Sequence, residues 1–212
     1  MVVGNKLIVV GASGFAKEVG WLAEECGYVL KGFLDDSPAY IDAQVLNKPV
    51  LGTVDDWINF DDCEFIVGIG APKTRSAIVE KMKALGKPKF ATLIHPNVVK
   101  SKYVHIGEGG IICAGVIITT DVEIGDHIVL NLNCTVGHDV VLRDFITIAP
   151  MVAISGNVTL NDCVEVGTGA SIRQGITIAR NSMLGMGSVL TKDIESSSLY
   201  FGVPAKKIKN ME

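Results

Sequence analysis

A histidine and an aspartate stand side by side in Val136-Gly137-His138-Asp139, and eighteen residues after the histidine comes Gly156. An imidazole beside a carboxylate is a general-base arrangement: the acid fixes the tautomer and the other ring nitrogen takes a proton. If residues eighteen apart stack on one another, His138 faces a backbone without a side chain. The Gly156 N–H then lies beside the imidazole as a donor for a developing oxyanion. Base plus donor is the pairing that acyl transfer needs. The alternative is a solvent-exposed His-Asp pair with no role. Neighbours along a straight strand point apart, so Asp139 serves His138 only if a corner turns the two together.

The elements that would hold these residues are legible in the spacing. From Ile106 to Leu190 every sixth residue is Ile, Leu or Val. A helix repeats near 3.6 and a strand at 2, so a strict six fits neither. It fits a coil walled by short strands, in which three hexapeptides close one turn of eighteen residues and successive turns stack at roughly 4.8 Å. The residues four after each aliphatic position, from Gly110 and Val116 to Ile194, are neither charged nor aromatic and suit the remaining inward space. Glycine directly follows the aliphatic residue at Gly107, Gly125, Gly137, Gly167 and Gly185, where it is expected to supply backbone freedom for the corners. The segment reads as a triangular parallel β-helix. Its rows do not give its hand, because ordinary parallel crossovers are right-handed.

Outward positions sort onto three walls. The first carries Ile111, Val129, Thr147, Glu165 and Met183, the second Ile117, Thr135, Ala153, Ser171 and Val189, and the third Glu123, Val141, Thr159 and Thr177. The first two are the more apolar, so three prisms are expected to pack around a threefold axis, burying Ile111, Ile117 and Val129.

Before the repeat lies a different pattern. Lys6 to Val10 is an apolar run ending at Gly11-Ala-Ser-Gly14, a helical stretch follows from Phe15 to about Cys26, and a second strand, Val29 to Leu34, ends at Asp35-Asp36. A third strand, Phe65 to Ile69, leads into Gly70-Ala-Pro-Lys-Thr-Arg75 and a helix to about Leu85. This βαβ pattern with a glycine-rich turn can receive phosphate on backbone N–H groups at a helix N-terminus. Gly11, Ser13, Gly14, Phe15, Asp35, Asp36, Gly70 and Arg75 are the expected nucleotide-site residues. A dinucleotide fits less well, since the turn lacks the middle glycine of G-x-G-x-x-G and the unit is half the usual size; an empty structural turn is the third reading. The boundary is set at Leu93-Ile-His-Pro96, giving domains 1–92 and 93–212.

Composition narrows the partners. The net charge of −4 gives no basic footprint for nucleic acid and no polybasic membrane patch. The apolar start is too short to span a membrane and shows no signal-peptide pattern, so a cytoplasmic protein is expected. Five cysteines without CxxC spacing indicate neither a disulfide framework nor a zinc knuckle. His95, His105, His127 and His138 never differ by a multiple of eighteen, so no histidines stack and no metal is expected.

Gly11-Ala-Ser-Gly14, Phe33-Leu-Asp-Asp36, Val67-Gly-Ile-Gly70, Leu93-Ile-His-Pro96, Asn131, Gly137-His-Asp139, Gly156-Asn157 and Gly202-Val-Pro-Ala-Lys206 together resemble the nucleotide-sugar N-acetyltransferases of bacterial glycan synthesis, within the sialic acid O-acetyltransferase-like family. The resemblance implies a Rossmann-like half domain followed by a left-handed parallel β-helix, active as a homotrimer. It also implies acetyl-CoA as co-substrate and transfer to the C4 amine of a UDP- or dTDP-linked 4-amino-4,6-dideoxy sugar. His138 would be the base and Asp139 its orienting acid. Asn131 would lie near the sugar, and Thr147, Gly156, Gly167, Gly185 and Lys206 would contact acetyl-CoA. The position of Asp139 often holds glutamate in the family, and Thr147 stands where some relatives have a second histidine. O-acetylation of a sugar hydroxyl, or a non-catalytic scaffold that binds a nucleotide sugar, are the alternatives.

Overall fold

Lys6–Val10 is apolar after its first residue, the composition of a strand covered on both faces, and in a computed structural model describing residues 4–211 it is an interior strand of a five-stranded sheet. The elements of this first unit are β1 (Lys6–Val10), α1 (Gly14–Glu25), β2 (Val29–Leu34), β3 (Gln44–Val45), β4 (Lys48–Gly52) and β5 (Glu64–Val67), followed by α2 (Pro72–Leu85). The strand order is β3-β4-β2-β1-β5, parallel except for the β3–β4 hairpin. Helix α1 buries Ala16, Val19, Leu22 and Ala23. Its Gly20 permits close packing, because a Cβ there would meet Phe33, Leu30 and Leu46 at 3.0 to 3.3 Å. Strand β5 stops at Val67, short of the expected Ile69: a Cβ at Gly68 would lie 2.8 Å from Val9, so the chain passes tightly and leaves the sheet.

The β3–β4 hairpin is absent from the sequence reading. Its two-residue turn is Leu46-Asn47, both at positive φ (51° and 58°), and without a glycine it carries no strong turn signal.

Two compact units divide the chain: the residues up to Gly70 with Thr74–Leu93, and Ala71–Lys73 with Ile94 onward. The second unit is a left-handed parallel β-helix. Each wall is a parallel sheet whose paired residues differ by eighteen, as in Ile117 with Thr135, Glu123 with Val141, and Val129 with Thr147. Every sixth-residue aliphatic side chain from Ile112 to Leu190 is buried, as are the small or apolar residues four positions later. The walls are those expected. A terminal hairpin, Ser198–Gly202 with Ala205–Asn210, extends the first of them by pairing parallel to Met183–Leu184.

The corners are made differently from the sequence reading. Gly107, Gly125, Gly137, Gly167 and Gly185 do not have positive φ. The left-handed backbone sits two residues later, at the third position after each aliphatic residue: His127, Asn133, Asp139, Phe145, Met151 and Asn157 all have φ between 53° and 61°. Such a conformation costs a non-glycine residue about 1–2 kcal/mol. Hydrogen bonds to the preceding coil hold it, as in Phe145 N–H to Asp126 O (2.9 Å) and Asn157 N–H to His138 O (2.8 Å). The glycines serve close approach instead. A Cβ on Gly137 would come 2.7 Å from Gly156 N, and one on Gly167 would come 2.5 Å from Met186 N.

The expected outward apolar surface also needs correction. Ile111 and Val129 are fully buried in the single chain and offer nothing to a second copy. The second wall keeps its exposed apolar residues, with Val99 62% and Ile117 43% accessible.

Candidate active site

Asp139 adopts φ 57°, and this left-handed step is what brings its carboxylate back onto the residue before it. Asp139 Oδ2 lies 2.6 Å from His138 Nδ1, with both side chains more than half exposed. A carboxylate can only accept, so Nδ1 carries the hydrogen and Nε2 presents its lone pair. The shorter acid thus reaches the imidazole. The ring lies over Gly156: a Cβ there would be 2.5 Å from His138 Nε2. Among the described residues neither the His138 N–H nor the Gly156 N–H has a hydrogen-bond acceptor. The arrangement combines an oriented base, an unobstructed backbone and unclaimed donors, which is the equipment for proton removal beside a developing oxyanion.

The other β-helix residues lie elsewhere on the prism. His138 is at the corner between the second and third walls; Asn131 is at the corner between the first and second, and its Oδ1 accepts from Leu132 N–H at 2.7 Å. Thr147 is on the first wall and nearly buried. One chain does not bring these three together. Gly167 and Gly185 have packing reasons to be glycine, since a Cβ on Gly185 would run into the Phe201 ring. Lys206 is exposed on the terminal hairpin opposite Phe201.

In the first unit the glycine turn is built around one acid. Asp35 Oδ2 accepts from Ala12 N–H at 2.7 Å and Oδ1 from Ser37 N–H at 2.8 Å, tying the end of β2 to the turn after β1. Gly11 has φ 105°, which an L side chain rarely adopts. Ser13 caps α1 without a side-chain hydrogen bond, and a Cβ on Gly14 would meet open space, so this helix start is accessible. Gly70 approaches Phe15, a Cβ there lying 4.0 Å from the ring, so the two expected loops meet.

Two expected nucleotide contacts have structural duties. Arg75 is fully buried, and its guanidinium donates to the carbonyls of Ile69 (2.6 Å) and Gly70 (2.9 Å); it shapes the loop from within. Asp36 accepts from Val54 N–H and Lys81 Nζ at 2.8 and 2.9 Å, and Lys81 also pairs with Asp55 at 3.0 Å. Partial burial pushes the Asp36 carboxyl up, but these donors outweigh it and hold it below the usual carboxylate range. The sequence reading missed a cleft of about 300 Å³ beside Asp35, bounded by Val50, Gly52, Thr53 and Asp56. Its signal was hidden with the hairpin that forms it.

Burial pushes the Cys134 thiol up to about 11, as it does Cys63, so neither is a ready nucleophile.

Known proteins share the fold of this chain. Residues 6–82 match the PglD N-terminal domain family. The acetyltransferase domain of PglB from Neisseria gonorrhoeae FA1090, a solved structure, is 32% identical, with 97% of this chain and 100% of that chain covered and a TM-score of 0.89. The chain belongs to the PglD-like family of sugar N-acetyltransferases. A second family structure, PerB from Caulobacter crescentus in complex with CoA and GDP-perosamine, is 30% identical over 99% of both chains, with a TM-score of 0.86. A curated family member, the UDP-N-acetylbacillosamine N-acetyltransferase of Bacillus subtilis (strain 168), is 42% identical over 53 residues, a match spanning 25% of this chain and 24% of that protein. No helix among the described residues is long and apolar enough to cross a membrane.

Proposed function

We propose that the chain transfers an acetyl group from acetyl-CoA to the C4 amine of a nucleotide-linked 4-amino-4,6-dideoxy sugar, with UDP or dTDP as the nucleotide. The observation that carries this reading is the 2.6 Å His138–Asp139 contact with Nε2 turned over Gly156. The amine nitrogen attacks the thioester carbon while His138 Nε2 takes its proton. Asp139 stabilises the imidazolium, and the Gly156 N–H receives the oxyanion. Collapse breaks the C–S bond, and the CoA thiolate leaves as the thiol with the proton held by His138. No acyl-enzyme is needed, because an amine is a competent nucleophile once both substrates are held together.

The first unit holds the nucleotide, with Gly11, Ser13, Gly14 and Phe15 around the diphosphate and Asp35 at the ribose or base. Support comes from the accessible start of α1 and from the family structure that holds GDP-perosamine. The working form is a cytoplasmic homotrimer. In it the His138 corner of one copy meets the Asn131 corner of the next, and the second wall supplies the contact through Val99 and Ile117. Charged substitutions at those two residues should split the assembly and abolish turnover together; a single-chain mass by light scattering for the unaltered protein would overturn the trimer.

Thiol release from acetyl-CoA, measured against UDP-, dTDP- and GDP-linked 4-amino sugars and their 4-hydroxy counterparts, tests the reaction. Turnover only with amino sugars is expected, fastest with UDP or dTDP. Turnover of hydroxy sugars alone would make the protein an O-acetyltransferase, a GDP preference would overturn the nucleotide assignment, and none with any sugar would make it a binding scaffold.

A further inference from the structure

Pro72, Arg75, Val79 and Met82 are the buried residues of α2, spaced as one face of a helix. Three of them are apolar, and the fourth is an arginine with no exposed surface. Withdrawing a guanidinium from water is costly, and an apolar side chain of similar volume at such a position commonly leaves a fold as stable or more so. Stability of the fold therefore does not account for the arginine. Helix side chains lean toward the N-terminus, so Arg75, in the first turn, reaches back over the loop that enters α2. There its Nη1 donates to two consecutive carbonyls, Ile69 at 2.6 Å and Gly70 at 2.9 Å.

In a planar trans peptide the N–H points opposite to the C=O. Two carbonyls drawn inward onto one guanidinium thus turn two successive N–H groups outward, the first of them that of Gly70. This segment borders the glycine turn after β1: a Cβ on Gly11 would lie 3.1 Å from the Ile69 side chain, and one on Gly70 would lie 4.0 Å from the Phe15 ring. Just before it the chain is fixed at Gly68, where a Cβ would lie 2.8 Å from Val9 and 3.1 Å from Ala16. Peptides flanked by glycines otherwise turn freely, and Arg75 sets them in one orientation.

We infer that Arg75 is a positioning residue for the nucleotide sugar: it does not touch the ligand, but holds the peptides after Ile69 and Gly70 so that their N–H side faces a diphosphate at the start of α1. The inference rests on the reading that the first unit holds the nucleotide, and adds to it what orients the second loop. Donors aimed before the ligand arrives need no ordering when it binds, which raises affinity. The rigid guanidinium fork suits a pair of adjacent oxygens better than a single ammonium does.

Arg75→Met separates this role from a structural one. The thioether fills the same apolar face, so Tm should stay within about 5 °C of the unaltered protein, while the two peptides, released by the guanidinium, are free to turn. The Kd for whichever of UDP, dTDP or GDP the protein binds, read by calorimetry, should rise about tenfold or more, and so should the KM for the amino sugar linked to it. The kcat at saturation and the Kd for CoA should hold within twofold, and Arg75→Lys should fall between. A nucleotide Kd and KM within twofold of the unaltered protein overturn the inference, as does an equal loss for CoA. If Arg75→Met does not fold, Gly70→Pro removes the outward N–H and leaves Arg75 in place; the same rise is expected, and unchanged nucleotide binding there overturns the inference. Binding without turnover in the unaltered protein would fault the acetyl-transfer reading alone, whereas no binding of any of the three nucleotides would overturn the nucleotide reading and this inference with it.

Discussion

Two corners of the same β-helix each carry a histidine, and they have opposite characters. At the corner between the third and first walls, the N–H groups of Glu108, Asp126 and Asp144 each donate to the aspartate one coil later, at 2.9, 2.9 and 3.2 Å. His127 there is 1% accessible, its ring stacked on Phe145 at 5.2 Å and 7°. At the corner between the second and third walls, the residue one coil after His138 is glycine. The imidazole is open to solvent on one side, and among the described residues the N–H groups of His138 and Gly156 are unclaimed. Backbone geometry is shared, so the difference is one of occupancy. A ladder filled at every rung is structural; a rung left empty beside an imidazole leaves donors and a base facing a ligand.

The largest expected effect breaks the comparison at its two histidines. His138→Ala should lower turnover at least about a hundredfold, the scale of a lost general base, with Tm nearly unchanged. Asp139→Asn should be milder, since orientation is lost and the base remains. His127→Ala should do the reverse: about 2–4 kcal/mol of stability lost with its ring contacts, read by denaturant melts, and unchanged turnover per folded molecule. Equal activity in His138→Ala would remove it from the mechanism.

Filling the empty rung comes next. In Gly156→Val the new Cβ would stand 2.5 Å from His138 Nε2, so the imidazole must swing away. Turnover should fall by about tenfold or more, the acetyl-CoA KM should rise, and nucleotide binding by the first unit should be untouched. Normal acetyl-CoA kinetics in this variant would mean that the acyl group does not lie over residue 156.

The smallest effect empties a filled rung. Asp144→Ala leaves the Asp126 N–H without its acceptor and should cost about 0.5–1.5 kcal/mol, with kinetic constants unmoved. A fall in turnover would show that the closed corner also takes part in the reaction.

How much was legible differs between the units. Regular spacing made the β-helix transparent: a period of six determines which residues point inward, and closure by three determines that residues eighteen apart stack. That alone placed His138 over Gly156. The corner glycines misled because glycine has two uses, left-handed backbone and close approach, and one sequence does not say which applies. Here Asp139, Phe145 and Met151 take the left-handed step that glycine was expected to take. In the first unit the strands and helices stood out by their apolar runs, whereas the β3–β4 hairpin turned on Leu46-Asn47 without a glycine to mark it.

By itself, then, the sequence determined the order of the two folds, the inward rows, the eighteen-residue stacking and the His-Asp-Gly constellation, because each follows from strict local periodicity or from adjacency in the chain. Tertiary structure alone decided the rest. It sent Arg75 into the interior to hold two carbonyls, drew Asp36 onto Lys81, buried Ile111 and Val129, and gathered Arg173, Lys192 and Lys207 around one cavity. These outcomes depend on which distant segments come to share a surface, and a charge or an apolar side chain does not reveal in one dimension whether its partner will be protein, solvent or ligand.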